Sequence, residues 1–133
     1  MKILLVSHGP FAEGMCRTLR EFFGAQNVYA ASVSQEDGTE SLKKAVEGYW
    51  KEWGDEQVVI CSDVKSGSAN QTMMLYYERP NTFLISGMNL SLVLQLMMED
   101  EVTADDLHEM IASAKEDMML INDISFAQDE DDE

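Results

Sequence analysis

The sequence predicts an α/β fold, with a single open, mainly parallel sheet and helices on both faces. Three observations carry this reading. Short apolar runs rich in β-branched residues recur along the chain, at Lys2–Val6, Val58–Cys61 and Thr82–Ile85 among others. Amphipathic stretches of helical period separate them. Small clusters of Gly, Pro, Ser and Asp stand where the runs stop, as breakers do at element ends. Repeated strand–helix alternation implies right-handed crossovers in a parallel sheet.

The first strand, Lys2-Ile3-Leu4-Leu5-Val6, is stopped by Ser7-His8-Gly9-Pro10. Phe11, Met15, Leu19 and Phe22 follow at helical spacing, and Gly24 is the expected stop. Val28 to Val33 reads as the second strand and Ser34 to Gly38 as a polar loop. Asp37, with Glu40 three residues later, predicts a capping box. The helix behind it shows one apolar face of Leu42, Ala45, Val46, Tyr49, Trp50 and Trp53.

Val58-Val59-Ile60-Cys61 is the third strand, stopped by Ser62-Asp63. A small-residue loop, Lys65-Ser66-Gly67-Ser68, leads into a helical stretch from Ala69 to Glu78, broken by Arg79-Pro80-Asn81. Thr82 to Ile85 is the fourth strand, Gly87-Met88-Asn89 its loop, and Leu90 to Met98 a short helix. Thr103 and Asp106 predict another cap. Leu107, Met110, Ile111, Ala114, Met118 and Ile121 form the stripe of the last helix. Ile124-Ser125-Phe126-Ala127 is compatible with a fifth, antiparallel edge strand. Residues 1–127 are expected to be one domain, and the acidic tail 128–133 to be disordered.

Composition narrows the function. The chain has 133 residues and 45% hydrophobic content, enough for one domain with a real core. No apolar run approaches the roughly 18 residues of a membrane span, and Met1-Lys2-Ile3 lacks a signal-peptide pattern. A cytoplasmic protein is expected. The formal net charge of -16 repels nucleic acid and anionic membranes and favours basic partners, although solubility alone accounts for much of it. Cys16 and Cys61 have no metal or redox spacing and read as buried thiols. The ten methionines read as core filler. His108 lies off its helix's apolar stripe and reads as solvated, and Lys65 as a surface lysine. Neither a metal nor a cofactor is expected.

A strand order of 2-1-3-4 is common for small sheets of this kind. It puts the switch point, where such sheets bind ligands, between strands one and three. Strand one then ends at His8 and strand three at Asp63, on the same rim. A carboxylate that accepts from one ring N–H fixes the histidine tautomer and leaves the other nitrogen nucleophilic. Histidine titrates near pH 6.5, so a usable fraction is free base at neutral pH. Gly9, Ser66, Gly67 and Ser68 stand nearby, and a helix start with a glycine suits an anion. A serine there also caps a helix without any ligand. Nucleophile, orienting carboxylate and phosphate-sized cradle suggest phosphoryl transfer through a phosphohistidine.

These residues carry a resemblance. Val6-Ser7-His8-Gly9-Pro10-Phe11-Ala12-Glu13-Gly14 resembles the N-terminal site of enzyme IIA of the mannose/fructose/sorbose class. That class belongs to the bacterial phosphoenolpyruvate-dependent sugar phosphotransferase system. Asp63-Val64-Lys65-Ser66-Gly67-Ser68 is similar to the family's Asp-x-x-Gly-Gly-Ser loop, and Gly87-Met88-Asn89-Leu90 to its Gly-x-Asn segment. The resemblance implies that His8 takes a phosphoryl group from the histidine-containing phosphocarrier protein and passes it to a IIB component. It implies that Asp63 orients the ring, that Ser68 and its loop border the phosphate, and that the protein is a homodimer exchanging a C-terminal strand. Phe11 and Met88 would surround His8 at the partner surface. The pattern departs from the family at Ser66 (usually Gly), at Ala69 (usually Pro) and at Gln71, where the family has Asn and this chain has Asn70 one step earlier. Two other readings stay open: a regulatory or docking module of the same fold, and the phosphocarrier subunit of a phosphoenolpyruvate-dependent dihydroxyacetone kinase.

Overall fold

A computed structural model describes residues 1–124. Four strands, β1 (Lys2–His8), β2 (Val28–Val33), β3 (Val58–Ser62) and β4 (Thr82–Ser86), alternate with helices α1 (Phe11–Phe23), α2 (Thr39–Trp53), α3 (Ser68–Met73) and α4 (Leu90–Leu96). Helix α5 (Ala104–Glu116) and a 3-10 turn at Ile121–Asp123 follow. The sheet has the order β2-β1-β3-β4, and every pairing is parallel. The expected fifth strand begins at Ile124, the last described residue; the rest of it and the acidic tail lie outside the described residues.

Alternation along the strands divides the core in two, because successive side chains point to opposite faces. Ile3, Leu5, Val59 and Cys61 pack with Ala12, Cys16 and Leu19 of α1 and with residues of α4 and α5. Leu4, Val6, Val58 and Ile60 pack on the other face with Leu42, Val46, Trp50 and Trp53 of α2 and Ala69 and Met73 of α3. Both thiols are buried and free, and burial pushes the Cys61 pKa up to about 12. Among the described residues, no helix is long and apolar enough to cross a membrane.

Several sequence expectations need correction. The core face of α1 is Ala12, Cys16 and Leu19, whereas Phe11 and Phe22 are exposed. Ala45 on α2 is exposed. Asp37 does not cap α2: Gly38 is the N-cap residue, with no side-chain cap, and the Asp37 N–H donates to Ser34 Oγ at 2.9 Å. Helix α3 stops at Met73, and the N–H groups of Leu75, Tyr76 and Arg79 bond three residues back. Met74, Leu75 and Tyr77 have no core to cover and are exposed. Helix α4 stops at Leu96, short of Met98. Helix α5 stops at Glu116, so Met118 and Ile121 of the predicted stripe stand exposed. The Thr103–Asp106 capping box forms as expected, with bonds of 3.1 and 2.8 Å.

Gln57, just ahead of β3, is 8% exposed. Its amide takes both backbone groups of Val102, donating to the carbonyl at 2.8 Å and accepting the N–H at 2.9 Å. This tie fastens the segment before α5 to the sheet.

Candidate functional site

Strand β1 runs two residues further than its pairing with β3, because Val6 is level with Ser62 while His8 still pairs with Val33 of β2. His8 therefore ends a strand rather than sitting in the loop after it. The next turn is built locally. Gly9 has φ 56°, a left-handed value that favours glycine, and its N–H donates to the Val33 carbonyl at 3.0 Å. Buried Ser7 accepts the Ala12 N–H on its hydroxyl at 2.7 Å, which fixes the start of α1 beside His8.

Asp63 leaves the end of β3 and meets His8 twice. Its Oδ2 accepts the His8 backbone N–H at 2.9 Å and lies 2.9 Å from ring Nδ1. Its Oδ1 accepts the Val64 N–H at 2.8 Å. Burial pushes the Asp63 pKa up, but the hydrogen bonds from the His8 ring, the His8 N–H and the Val64 N–H, with attraction to the ring when it is protonated, outweigh it. The carboxyl is held below the usual range. An ionised carboxylate only accepts, so Nδ1 carries the ring proton and Nε2 keeps its lone pair. Ser68 Oγ lies 2.9 Å from Nε2 and donates to it in that tautomer. The ring is thus gripped at both nitrogens while its side chain stays 51% exposed.

Gly67 explains how the ring fits. A Cβ at this position would lie 2.8 Å from His8 Cε1 and 2.9 Å from Val64 Cγ2. The glycine is there for close approach of the imidazole. Its N–H donates to the Val64 carbonyl at 3.1 Å, so the N–H groups of both Gly9 and Gly67 are already engaged within the chain. Ser66 is exposed on the same loop. Helix α3 has six residues and adds little dipole.

An uncharged hollow adjoins the ring, lined by His8, Pro10, Phe11, Gly14, Met15, Thr18 and Leu90. Phe11 is exposed at its edge. Met88, expected on the partner surface, is buried. Its N–H and that of Gly87 both donate to the Ser62 carbonyl at 3.0 Å, which draws the loop back over the end of the sheet. Leu90, two residues on, joins Phe11 as an exposed apolar side chain at the hollow. Ser7 and Ser62 are further polar groups of the site that the sequence pattern does not single out, and Asn70, which it marks only as a departure from the family's loop, is a third. Their one signal was a polar residue beside an apolar strand end or inside a helix start.

Fold and site together define a class: an open α/β domain with a carboxylate-oriented histidine at its switch point. The comparisons then give the family. The model of the family described as PTS system fructose IIA component matches residues 2–115. The chain belongs to this family of sugar phosphotransferase system IIA components, and a phosphotransfer role in such a system follows from membership. IIA proteins in general work with phosphocarrier and IIB partners. Among curated proteins, none matches.

Solved structures agree in fold. The mannose/sorbose specific IIA subunit of the phosphotransferase system from Enterococcus faecalis is 21% identical with a TM-score of 0.80, over 93% of this chain and 96% of that one. The PTS IIA protein associated with the fucose utilization operon from Streptococcus pneumoniae is 21% identical with a TM-score of 0.79, over 91% and 93%. Phosphotransferase system component EIIA from Streptococcus agalactiae is 21% identical with a TM-score of 0.72, over 92% and 98%.

Proposed function

We propose that this chain is a phosphohistidine relay in which His8 Nε2 accepts a phosphoryl group from the histidine-containing phosphocarrier protein and passes it to a IIB component for sugar uptake. One observation carries the reading: the His8 ring is held at Nδ1 by Asp63 and at Nε2 by Ser68, each at 2.9 Å, with half its surface in solvent.

In the forward step the Nε2 lone pair attacks phosphorus as the donor's P–N bond breaks. The donor ring, protonated at its other nitrogen, leaves with the bonding electron pair as a neutral imidazole, so its positive charge passes to His8. Positive charge grows on the His8 ring, and the adjacent Asp63 carboxylate balances it. Little covalent chemistry is asked of the protein, so positioning and electrostatics dominate. Ser68 Oγ, which donates to Nε2 in the resting site, turns away to free that lone pair for the attack and then donates to a phosphoryl oxygen. The hydroxyl of Ser66 lies on the same loop and is available to the phosphate. Transfer to IIB is the reverse of the first step with a new acceptor.

Phe11 and Leu90 give the donor an uncharged surface beside the ring. A homodimer is supported by the apolar segment after α5, where Met118, Met119, Leu120 and Ile121 are exposed. We place the relay in the cytoplasm, where the phosphocarrier protein and the IIB component would meet it.

The direct test is incubation with labelled, phosphorylated phosphocarrier protein. The wild type should acquire acid-labile label, and a His8→Ala variant none. Label retained by that variant, or no label on the wild type, would overturn the relay.

A further inference from the structure

Four residues, 64–67, connect Asp63, which follows the end of β3, to Ser68, the two groups that hold the His8 ring. Val64, Lys65 and Ser66 are all exposed. Backbone bonding within the loop is a single turn, Gly67 N–H to Val64 carbonyl. On its own, such a stretch has little to keep Asp63 and Ser68 at fixed separation.

Asn70 supplies the brace. It is 5% exposed and lies in α3, two residues after Ser68. Its Oδ1 accepts from the hydroxyl of Ser62 at 2.7 Å, and Ser62 is the last residue of β3, immediately before Asp63. Its Nδ2 donates to the Lys65 carbonyl at 3.0 Å in the middle of the loop. The amide orientation is fixed by chemistry, since a backbone carbonyl can only accept and must face the NH₂ end. The hydroxyl of Ser62 is then the donor at the other end. One side chain thus ties the strand end, the loop and the helix start into a single unit. No buried side-chain polar atom among the described residues is left without a partner, and these two bonds are the ones that satisfy the Asn70 amide.

We infer that Asn70 is a positioning residue: by bridging Ser62 Oγ and the Lys65 carbonyl it sets the spacing at which Asp63 and Ser68 grip both nitrogens of the His8 ring. The inference rests on the relay reading for its activity readout, but its spectroscopic readout is independent of it. Asn70 touches neither the ring nor any transferring group, so it acts only through the loop.

The test compares wild type, Asn70→Ala and Ser62→Ala, the last removing one arm only. Long-range ¹H–¹⁵N spectra of the His8 ring report the tautomer directly. The wild type should show a protonated Nδ1 and an unprotonated Nε2. Asn70→Ala should move both nitrogens toward the averaged values of a mixed tautomer population, with Ser62→Ala between. Single-turnover transfer from labelled phosphocarrier protein should slow about tenfold or more in Asn70→Ala, since small misplacements of a reacting group are costly. The phosphocarrier concentration for half-maximal rate should stay unchanged. A merely structural role would lower the melting temperature without moving the ring signals or the rate of the folded fraction, and that outcome overturns the inference. If Asn70→Ala does not fold, Ser62→Ala decides on the same two readouts, and wild-type values in it overturn the inference. If the wild type takes no label while the tautomer still loosens in the variants, the relay fails and the positioning role stands.

Discussion

Replacing Gly67 with alanine tests the site apart from the fold. The new Cβ would sit 2.8 Å from His8 Cε1 and 2.9 Å from Val64 Cγ2. Carbon atoms prefer about 3.5–4.0 Å, so each contact must open by at least roughly 0.6 Å. Val64 is half exposed and can turn away. The ring has no such freedom while both nitrogens are bonded at 2.9 Å. A displacement of that size carries at least one bond toward about 3.5 Å, where little of it remains. The ring then swings into water and gives up both bonds, which at this half-exposed position costs the fold only about 1–2 kcal/mol. Transfer suffers far more, because a misplacement near 1 Å costs about 100-fold in rate, or roughly 2.7 kcal/mol of barrier.

Single-turnover labelling beside thermal melting is the assay. Gly48→Ala is the control, since a Cβ there meets nothing within 4 Å; it should leave the rate unchanged. Gly67→Ala should melt within about 8 °C of wild type, the shift expected for at most ~2 kcal/mol in a domain of this size, and label about 100-fold more slowly. Wild-type rates in Gly67→Ala would refute the claim that the ring is held by close approach to this loop. A large loss of stability would refute the claim that the ring is free to leave.

Two further outcomes follow from the hydrogen-bond geometry. Asp63 has its folded pKa held below the ordinary carboxylate value, so its contribution to stability is full above about pH 5 and is lost as pH falls through and below ~4. The melting-temperature gap between wild type and Asp63→Asn should accordingly be present at pH 7 and close under acid; a gap that stays constant down to pH 3 contradicts the assignment of Asp63 as an ionised acceptor. Gln57→Ala strands the N–H and carbonyl of Val102 in a buried place. It should cost about 1–3 kcal/mol, seen as a fall of several degrees in melting temperature with labelling of the folded protein intact.

Much of the fold was legible because its signals are local. Apolar runs such as Val58–Cys61 and the reciprocal bonds of Thr103 and Asp106 depend on neighbours a few residues away. His8 and Asp63 could be placed on one rim from strand order alone. The errors have a different character. Phe11 and Ala12 are both apolar at the start of α1, and which of them faces the sheet depends on the angle at which the helix docks. Met88 sits in a loop that reads as surface until the Ser62 carbonyl draws it inward. Asp37 has the spacing of a cap, yet Ser34 and Gly38 close a turn that leaves it no role there.

The order of elements, the parallel sheet and the presence of an imidazole and an acid at two strand ends were determined by the sequence itself, because residue period and chain connectivity leave few alternatives. Only the tertiary structure decided that Asp63 meets Nδ1 and Ser68 meets Nε2, that Gly67 must lack a side chain and that Asn70 braces the loop. Those facts depend on separations of a few ångströms between residues up to 60 positions apart, and packing sets such distances where no local pattern records them.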